Sequence, residues 1–232
     1  MFRIHDDILS RFPNIKIGVL SCRNVAVRRG DEGLEGLKGE VIQEVAAKLG
    51  SRPVAEHPYV SSWRRMYRGF GAKAGDYRPS AEALLRRTLR GRGLPTINTA
   101  VDAYNVVSLR HLIPMGGFDL DRVAGDIMLR FSAGGERFLP IGASEAEETY
   151  EGEAVYADDV RILTRRWNHR DCDETKITEE TRNIVMFADG SPEIPEEAVG
   201  TAMEELASVL SSVCGGEIKT DMVDGNRRKL HI

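Results

Sequence analysis

The order of two hydrophobic patterns along the chain constrains its fold most strongly. Apolar residues recur at helical spacing near the amino terminus, where Leu34, Leu37, Val41, Val45 and Leu49 form one stripe, and again from about 196 to 213. Between 127 and 187 the pattern changes to short β-like runs separated by Gly, Asp and Glu turns. Because helices and strands mix without regular β-α-β alternation, the sequence predicts an α+β fold.

The chain shows no sequence sign of a second domain. It has 232 residues, 41% of them hydrophobic, which is enough to bury one substantial core. We find no internal repeat and no low-complexity linker, so we predict a single domain over residues 1–232. No run of about eighteen apolar residues occurs, and the amino terminus lacks the layout of a signal peptide. We therefore expect a soluble, cytoplasmic protein that does not contact membranes.

Several common kinds of site have no support in the sequence. Cys22, Cys172 and Cys214 form neither a close pair nor a metal-ligand spacing, so no disulfide framework or zinc site is expected. No phosphate-binding glycine loop, serine-nucleophile elbow or two-histidine metal motif occurs. We therefore predict neither a cofactor nor a metal.

Charge is distributed unevenly along the chain. The formal net charge of −4 argues against a general nucleic-acid coat protein. From Ser61 to Arg92, however, nine basic residues meet two acids, a net charge of +7, with four aromatic residues between them. One interpretation is an RNA surface on which Arg64, Arg68 and Arg86 contact phosphates and the rings stack on bases. The other is a solvated helix face whose aromatic residues point to the core.

A first set of candidate ligand-binding residues lies on one predicted helix. Asn98, Asp102 and Asn105 are spaced i, i+4 and i+7, which places them along one helix face. Amides and a carboxylate in a row can orient a ligand by directed hydrogen bonds. The alternative interpretation is a capped, solvated start of the helix.

A second set is concentrated between 165 and 178. Trp167, Asn168, His169, Arg170 and Asp173 supply an aromatic ring, an amide, an imidazole, a guanidinium and a carboxylate within a few residues. Such a group contains a general base, an anion clamp and a stacking surface. We predict that His169, oriented by Asp173, positions or deprotonates a water molecule. The alternative is that His169 is structural, as isolated histidines more often are.

The order of these residues resembles one known family. The stretch from 97 to 130 reads INTAVDAYNVVSLRHLIPMGGFDLDRVAGDIMLR. It is similar to the hallmark of the editing module of the phenylalanyl-tRNA synthetase beta subunit. The matching residues are Asn98, Val101, Asp102, Asn105, Pro114, Phe118, Asp119, Arg130 and Gly135-Glu136, with Thr178, Glu179 and Thr181 in a second stretch. The run SSWRRMYRGFG from 61 to 71 looks like stand-alone proteins of the superfamily.

The resemblance implies a sheet-based sandwich flanked by helices, with an editing-like core at about 61–189 and closely packed flanks at 1–60 and 190–232. It implies a pocket that faces the aminoacyl end of tRNA, with Asn105 matching an editing-site residue. The synthetase module hydrolyses tyrosine wrongly attached to phenylalanine tRNA. Two departures weaken that parallel, because Gly116 stands in place of the family histidine and Tyr104 in place of the usual threonine.

The function implied is that of a stand-alone trans-editing hydrolase of mischarged aminoacyl-tRNA. Its expected partners are tRNA or aminoacyl-tRNA, with a free amino acid as a second ligand and no obligate protein partner. The alternative is a non-catalytic binding module for tRNA or a free amino acid. The loss of the histidine at Gly116 favours the binding module, whereas the dense segment from Trp167 to Glu174 favours the enzyme.

Overall fold

Two stacked β-sheets form the centre of the protein in a computed structural model that describes residues 1–49, 52–73 and 75–232. The strands are β1 Phe2–Ile4, β2 Lys16–Arg23, β3 Met115–Asp119, β4 Ile127–Ala133, β5 Arg137–Phe138, β6 Glu147–Glu148, β7 Glu151–Ala157, β8 Ile162–Arg165, β9 Arg170–Asp171, β10 Ile184–Gly190, β11 Glu217–Val223 and β12 Lys229–Leu230. The helices are α1 Asp6–Arg11, α2 Glu32–Leu49, α3 Pro58–Gly69, α4 Ser80–Leu89, α5 Thr99–His111 and α6 Glu196–Cys214.

The larger sheet has the strand order β12-β1-β4-β7-β8-β9 and the smaller one β11-β2-β10-β3. Strands β1 and β4 run parallel, and the other neighbouring strands of these two sheets run antiparallel. Strands β5 and β6 form a short separate ribbon. Strands β1 and β2 of the amino-terminal flank therefore pair directly with β4 and β10 of the central segment. Strands β12 and β11 of the carboxy-terminal flank pair in turn with β1 and β2.

An aromatic cluster joins the two sheets. Phe2 and Tyr156 extend from the larger sheet and Phe118 and Phe187 from the smaller one. The ring of Phe187 lies 4.8 Å from that of Phe2 and 5.0 Å from that of Tyr156, centroid to centroid. Tilted aromatic pairs at this separation bury large apolar areas in a favourable geometry. The predicted α+β sandwich is confirmed.

Helices cover the outer face of the smaller sheet. Helix α6 packs on β2, β10 and β11, α5 packs on α6 and β3, and α2 packs on α5. The apolar stripe of α6, with Val199, Met203, Leu206 and Leu210 buried, meets the sheet closely. At Gly18 in β2, a Cβ atom would lie 2.5 Å from Met203, so this contact requires glycine. Among the described helices, none is long and apolar enough to cross a membrane.

The first residues of three helices are well defined. A 3-10 turn, Val54–Glu56, precedes α3. Ser80 is the first helical residue of α4, and Pro79 occupies its cap. The N-cap of α5 is Asn98, whose side chain accepts the backbone N–H of Val101 at 3.0 Å.

Candidate functional site

A cavity of about 200 Å³ lies between the ends of the two sheets. Its apolar wall comes from Met115, Phe118, Ile141, Tyr156, Trp167 and Phe187. Its polar groups come from Ser80, Thr164, Asn168, His169, Arg170, Asp171 and Asp189, and Gly116 forms part of the wall. A concave site with aromatic walls and a few convergent polar groups is the usual form of a small-ligand site.

The turn from 166 to 169 brings most of the predicted residues to this cavity. It connects β8 to β9, and both Arg166 and Trp167 have left-handed backbone conformations, with φ of 49° and 66°. Non-glycine residues adopt this region rarely and at some energetic cost. Trp167 is held by an edge-on contact with Trp63, 5.4 Å between centroids. The turn thus projects Trp167, Asn168 and His169 into the wall.

Asn168 and Asp189 belong to one buried hydrogen-bond network. The hydroxyl of Tyr67 donates to Asn168 Oδ1 at 2.9 Å, and Asn168 Nδ2 donates to Asp189 Oδ2 at 3.1 Å. The hydroxyl of Tyr156 donates to Asp189 Oδ1 at 2.6 Å. Burial nevertheless raises the pKa of Asp189 to about 6. Both oxygens of this carboxyl are thus occupied, and its role is to hold the wall.

Asp171 differs from Asp189 because one of its oxygens is available. The hydroxyl of Thr164 donates to Asp171 Oδ1 at 2.6 Å. Asp171 Oδ2 lies 3.6 Å from where a Cβ atom at Gly116 would stand, and no described residue donates a hydrogen bond to it. Burial raises the pKa of this carboxyl to about 6. The cavity therefore contains an acceptor oxygen that no described residue uses, beside Gly116.

His169 is held in a defined orientation by the segment before α4. Its Nδ1 lies 2.9 Å from the carbonyl oxygen of Arg78, which accepts only, so Nδ1 carries the proton. In the neutral ring Nε2 is then the acceptor. Burial lowers the pKa of His169, and the charges of Arg166 and Arg170 lower it further. A neutral imidazole with a free acceptor nitrogen results.

The expected orientation of His169 by Asp173 is wrong. Asp173 lies outside the cavity, in a shallow polar groove. Its Oδ1 accepts from Lys176 Nζ at 2.7 Å and from the N–H of Gly142 at 3.3 Å, and Lys176 lowers the pKa of this carboxyl. Asp171 lines the cavity and Asp173 lines the groove, so these near neighbours face different surfaces. Arg170 reaches the cavity from an exposed position at its rim and forms an ion pair with Glu147.

The three polar residues of α5 do not line the cavity. Asn98 caps the helix and donates from Nδ2 to the carbonyl of Ile177 at 3.0 Å. Asp102 accepts the N–H of Ile97 at 2.9 Å and the ammonium of Lys38 at 2.7 Å. Asn105 is buried within the helix packing. The geometry of Asn98 and Asp102 matches the alternative of a capped helix start, although these residues are buried rather than solvated.

The basic segment from Ser61 to Arg92 is partly neutralised. Arg64 and Arg86 both bond the buried carboxylate of Glu82, at 2.5 Å and 2.6 Å. Arg68 is exposed and has no ion pair among the residues described. The interleaved aromatic residues Trp63, Tyr67 and Phe70 are buried in the core. They therefore cannot stack on nucleic-acid bases, whereas the guanidinium of Arg68 is exposed to solvent.

Sequence reasoning missed Asp171, Asp189 and Tyr156 as cavity residues. Asp189 follows the apolar run Ile184–Phe187, and an acid that ends a buried strand is a recognisable signal. The available carboxyl of Asp171 gives no comparable signal, because its neighbours Asp173 and Glu174 carry the same charge. Its position follows only from the pairing of β8 with β9.

Comparison with known proteins places the chain in a family. The family model described as the B3/4 domain matches residues 62–215. The match covers more than half of the 232 residues, and the chain belongs to the B3/4 domain family.

Curated relatives are all beta subunits of phenylalanine–tRNA ligase. The one from Yersinia pestis is 28% identical over 170 residues, covering 73% of this chain and 20% of the relative. The one from Chromobacterium violaceum is 32% identical over 143 residues, covering 61% and 17%. The chain thus spans about a fifth of the length of the relatives it matches. The relationship to this subunit, predicted from the motifs, is confirmed.

A solved structure also aligns with the chain. It is an N-terminal fragment of the phenylalanyl-tRNA synthetase beta subunit from Pyrococcus horikoshii, with a TM-score of 0.48 and 14% sequence identity. The alignment covers 94% of this chain and 50% of that one.

Proposed function

We propose that the chain binds aminoacyl-tRNA and hydrolyses the ester of a mischarged amino acid held in the cavity. The observation that carries the proposal is the pairing of a free carboxyl oxygen, Asp171 Oδ2, with a neutral, oriented imidazole, His169, in one cavity. The family relationship supports tRNA as the source of the ester.

The size and lining of the cavity favour an aminoacyl group as the ligand. A dry apolar cavity of about 150 Å³ admits benzene, so about 200 Å³ accommodates a side chain of ring size. Phe118, Tyr156 and Phe187 supply the apolar contact. An ester-linked amino acid keeps its α-ammonium but has no free carboxylate, and Asp171 Oδ2 is an acceptor suited to that ammonium.

The proposed reaction assigns one proton transfer to His169. Its Nε2 takes a proton from water, the water oxygen adds to the ester carbonyl carbon, and the carbon–oxygen bond to the ribose breaks. The proton then passes from Nε2 to the ribose oxygen, which leaves as a hydroxyl, while the free amino acid leaves as the carboxylic acid and ionises in water. A positioned base of this kind contributes a factor of about 10²–10⁴ to the rate.

The second candidate is a non-catalytic binding module for tRNA or a free amino acid. Gly116 favours this candidate, because the family motif has an ionisable histidine at a position that adjoins the cavity here. Because both candidate functions use the same cavity, only a measurement of turnover distinguishes the hydrolase from the binding module.

Deacylation of a panel of mischarged tRNAs by the purified protein tests the proposal. A Cβ atom at Gly116 would meet Asp171 at ordinary contact distance, and the rest of a leucine side chain there would extend into the cavity. A thermal unfolding curve establishes that Gly116→Leu is folded before its activity is compared. We expect Gly116→Leu to lose at least about 90% of deacylation, which is roughly tenfold. Gly200→Ala, in α6 with nothing near its Cβ position, is the matched control. Equal rates in Gly116→Leu and the wild type would place the reaction elsewhere.

A further inference from the structure

Arg166 carries a buried positive charge that has no ion-pair partner among the described residues. Its side chain is 7% exposed, yet no carboxylate among the described residues lies within ion-pair distance of it. The adjacent Arg165, which is equally buried, pairs with both Glu153 and Glu147 at 2.8 Å. Buried cations are ordinarily paired, because an unpaired charge loses hydration without compensation. The buried guanidinium of Arg166 therefore lacks the anionic partner that a buried cation ordinarily has.

The guanidinium is supported from one side by an aromatic ring. Its central carbon lies 3.6 Å from the ring centroid of Tyr77 and 5.9 Å from that of Tyr150. A cation over a ring is attracted by the π-electrons, and this interaction consumes none of the N–H donors. Arg166 Nε has no hydrogen-bond partner among the residues described. Because Nε is buried from solvent, the terminal donors Nη1 and Nη2, from which no described residue accepts a hydrogen bond, are the ones available to an anion in the guanidinium plane.

Arg166 lies directly before the residues of the turn that line the cavity. Trp167, Asn168 and His169 line the cavity, and Arg166 is the preceding residue of the same turn. The ring of Tyr77 that supports Arg166 also makes an edge-on contact with His169, 5.3 Å between centroids. The unpaired guanidinium is therefore separated from the proposed reaction centre by one aromatic ring.

We propose that Arg166, supported by Tyr77, binds the phosphodiester that joins the last nucleotide of an acylated RNA to the rest of its chain. The planar fork of donors in a guanidinium matches two phosphate oxygens at once. The aminoacyl group of the same nucleotide then occupies the cavity on the other side of Tyr77. The assignment to RNA phosphate rests on the proposed function, whereas the presence of an anion site does not.

Adenosine 5′-monophosphate and adenosine differ by one phosphate and serve as probes in calorimetric titrations of the whole protein. The wild type should bind the monophosphate at least about tenfold more tightly than the nucleoside, as expected for charge-assisted hydrogen bonds. Arg166→Met keeps the apolar stem and should reduce the ratio of the two affinities, monophosphate over nucleoside, to nearly one. Arg166→Lys keeps the charge without the fork and should retain part of the ratio. Arg29→Met, which removes an exposed arginine outside the segment from Ser61 to Arg92, is the matched control and should retain all of it.

An unchanged ratio in a folded Arg166→Met variant would overturn the proposal, as would equal binding of the two probes by the wild type. If Arg166→Met does not fold, full retention of the ratio in Arg166→Lys would count against the bidentate fork. Inorganic phosphate that binds as tightly as the monophosphate would overturn the assignment to RNA. Because neither probe is an ester substrate, loss of the ratio in Arg166→Met supports the anion site even if no aminoacyl-tRNA is hydrolysed.

Discussion

At the scale of single residues, the cavity contains two aspartates in different circumstances. Asp189 has donors on both oxygens, whereas Asp171 has a donor on one. Both carboxyls have a pKa of about 6, well above the ordinary 3.8. A raised carboxyl pKa means that the folded protein binds more protons than the unfolded chain between these two pH values. The contribution of this bound proton to the free energy of unfolding is fully present below pH 3.8 and is lost as the pH rises through about 6.

Asp171→Asn should therefore stabilise the protein at about pH 8 and have little effect at about pH 3.5. The full shift corresponds to about 3 kcal/mol, and we expect about 1–2 kcal/mol because the carboxyl is partly exposed to the cavity. Urea unfolding at the two pH values measures the difference. In Asp173→Asn, where Lys176 lowers the pKa, the same experiment should give no stabilisation at about pH 8. Stabilisation by Asp171→Asn that is equal at both pH values would contradict the assigned cause.

Residues close in sequence were the predictable part of the site. Trp167, Asn168, His169 and Arg170 reach the cavity together because one turn and the strand after it carry them. The sequence marks Asp189 as an acid near the end of a buried strand, but it does not place Asp189 at the cavity, because that position depends on how the two sheets stack. Several matching family residues instead hold the scaffold. Thr181 donates to Asp119 at 2.7 Å, and Arg130 pairs with Glu136 at 2.6 Å. The motif therefore predicts the fold better than the chemistry.

At the scale of elements, the start of α5 is fixed by a buried ion pair. Asp102 accepts the N–H of Ile97 and the ammonium of Lys38, and both ionic side chains are almost completely buried. The spacing of Asn98, Asp102 and Asn105 correctly predicted a shared helix. It could not distinguish the ligand-facing side from the packed one, because α2 supplies the partner from another part of the chain.

Asp102→Ala should destabilise the protein by about 1–3 kcal/mol, because it removes the buried carboxylate from the ammonium of Lys38 and the acceptor from the N–H of Ile97. The ammonium keeps its bonds to Glu35 and Thr96, which limits the loss. Thermal or urea unfolding measures this loss. The double variant Lys38→Met with Asp102→Ala should recover much of it, since neither charge is then buried alone. Asn105→Ala is a control on the same helix and should cost much less. A small effect of Asp102→Ala that Lys38→Met does not modify would contradict the role of the pair.

Helices α3 and α4 are joined through Glu82, so the arginines predicted to bind RNA divide into two kinds. Arg64 and Arg86 neutralise the buried Glu82, whereas Arg68 is exposed. Arg68→Glu should weaken tRNA binding and reduce the dependence of log affinity on log salt by about 1, without loss of stability. Arg64→Glu should lower the unfolding temperature, because two carboxylates then meet at a buried position. Equal stability and equal RNA affinity in these two variants would contradict the division.

At the scale of the whole molecule, the cavity exists because two sheets meet. Phe118 and Phe187 belong to the smaller sheet, and Tyr156 and Asp171 to the larger one. Pattern reasoning predicted that strands fill the second half of the chain. It could not predict their order, because β2 from the amino-terminal flank lies between β10 and β11. Such long-range pairing is invisible in local periodicity.

If His169 is the base in ester hydrolysis at this cavity, its removal must slow single-turnover deacylation and change the dependence of the rate on pH. With the preferred mischarged tRNA, His169→Ala should be slower by at least about tenfold, and His231→Ala, at an exposed histidine, should match the wild type. As the pH falls below neutral, the wild-type rate should decline through protonation of Asp171, whose pKa is about 6, and of the His169 ring, whose pKa is lowered from its ordinary value. The profile of His169→Ala should keep only the part that Asp171 contributes. An unchanged rate and pH profile in His169→Ala, or no deacylation of any aminoacyl-tRNA by the wild type, would contradict the claim.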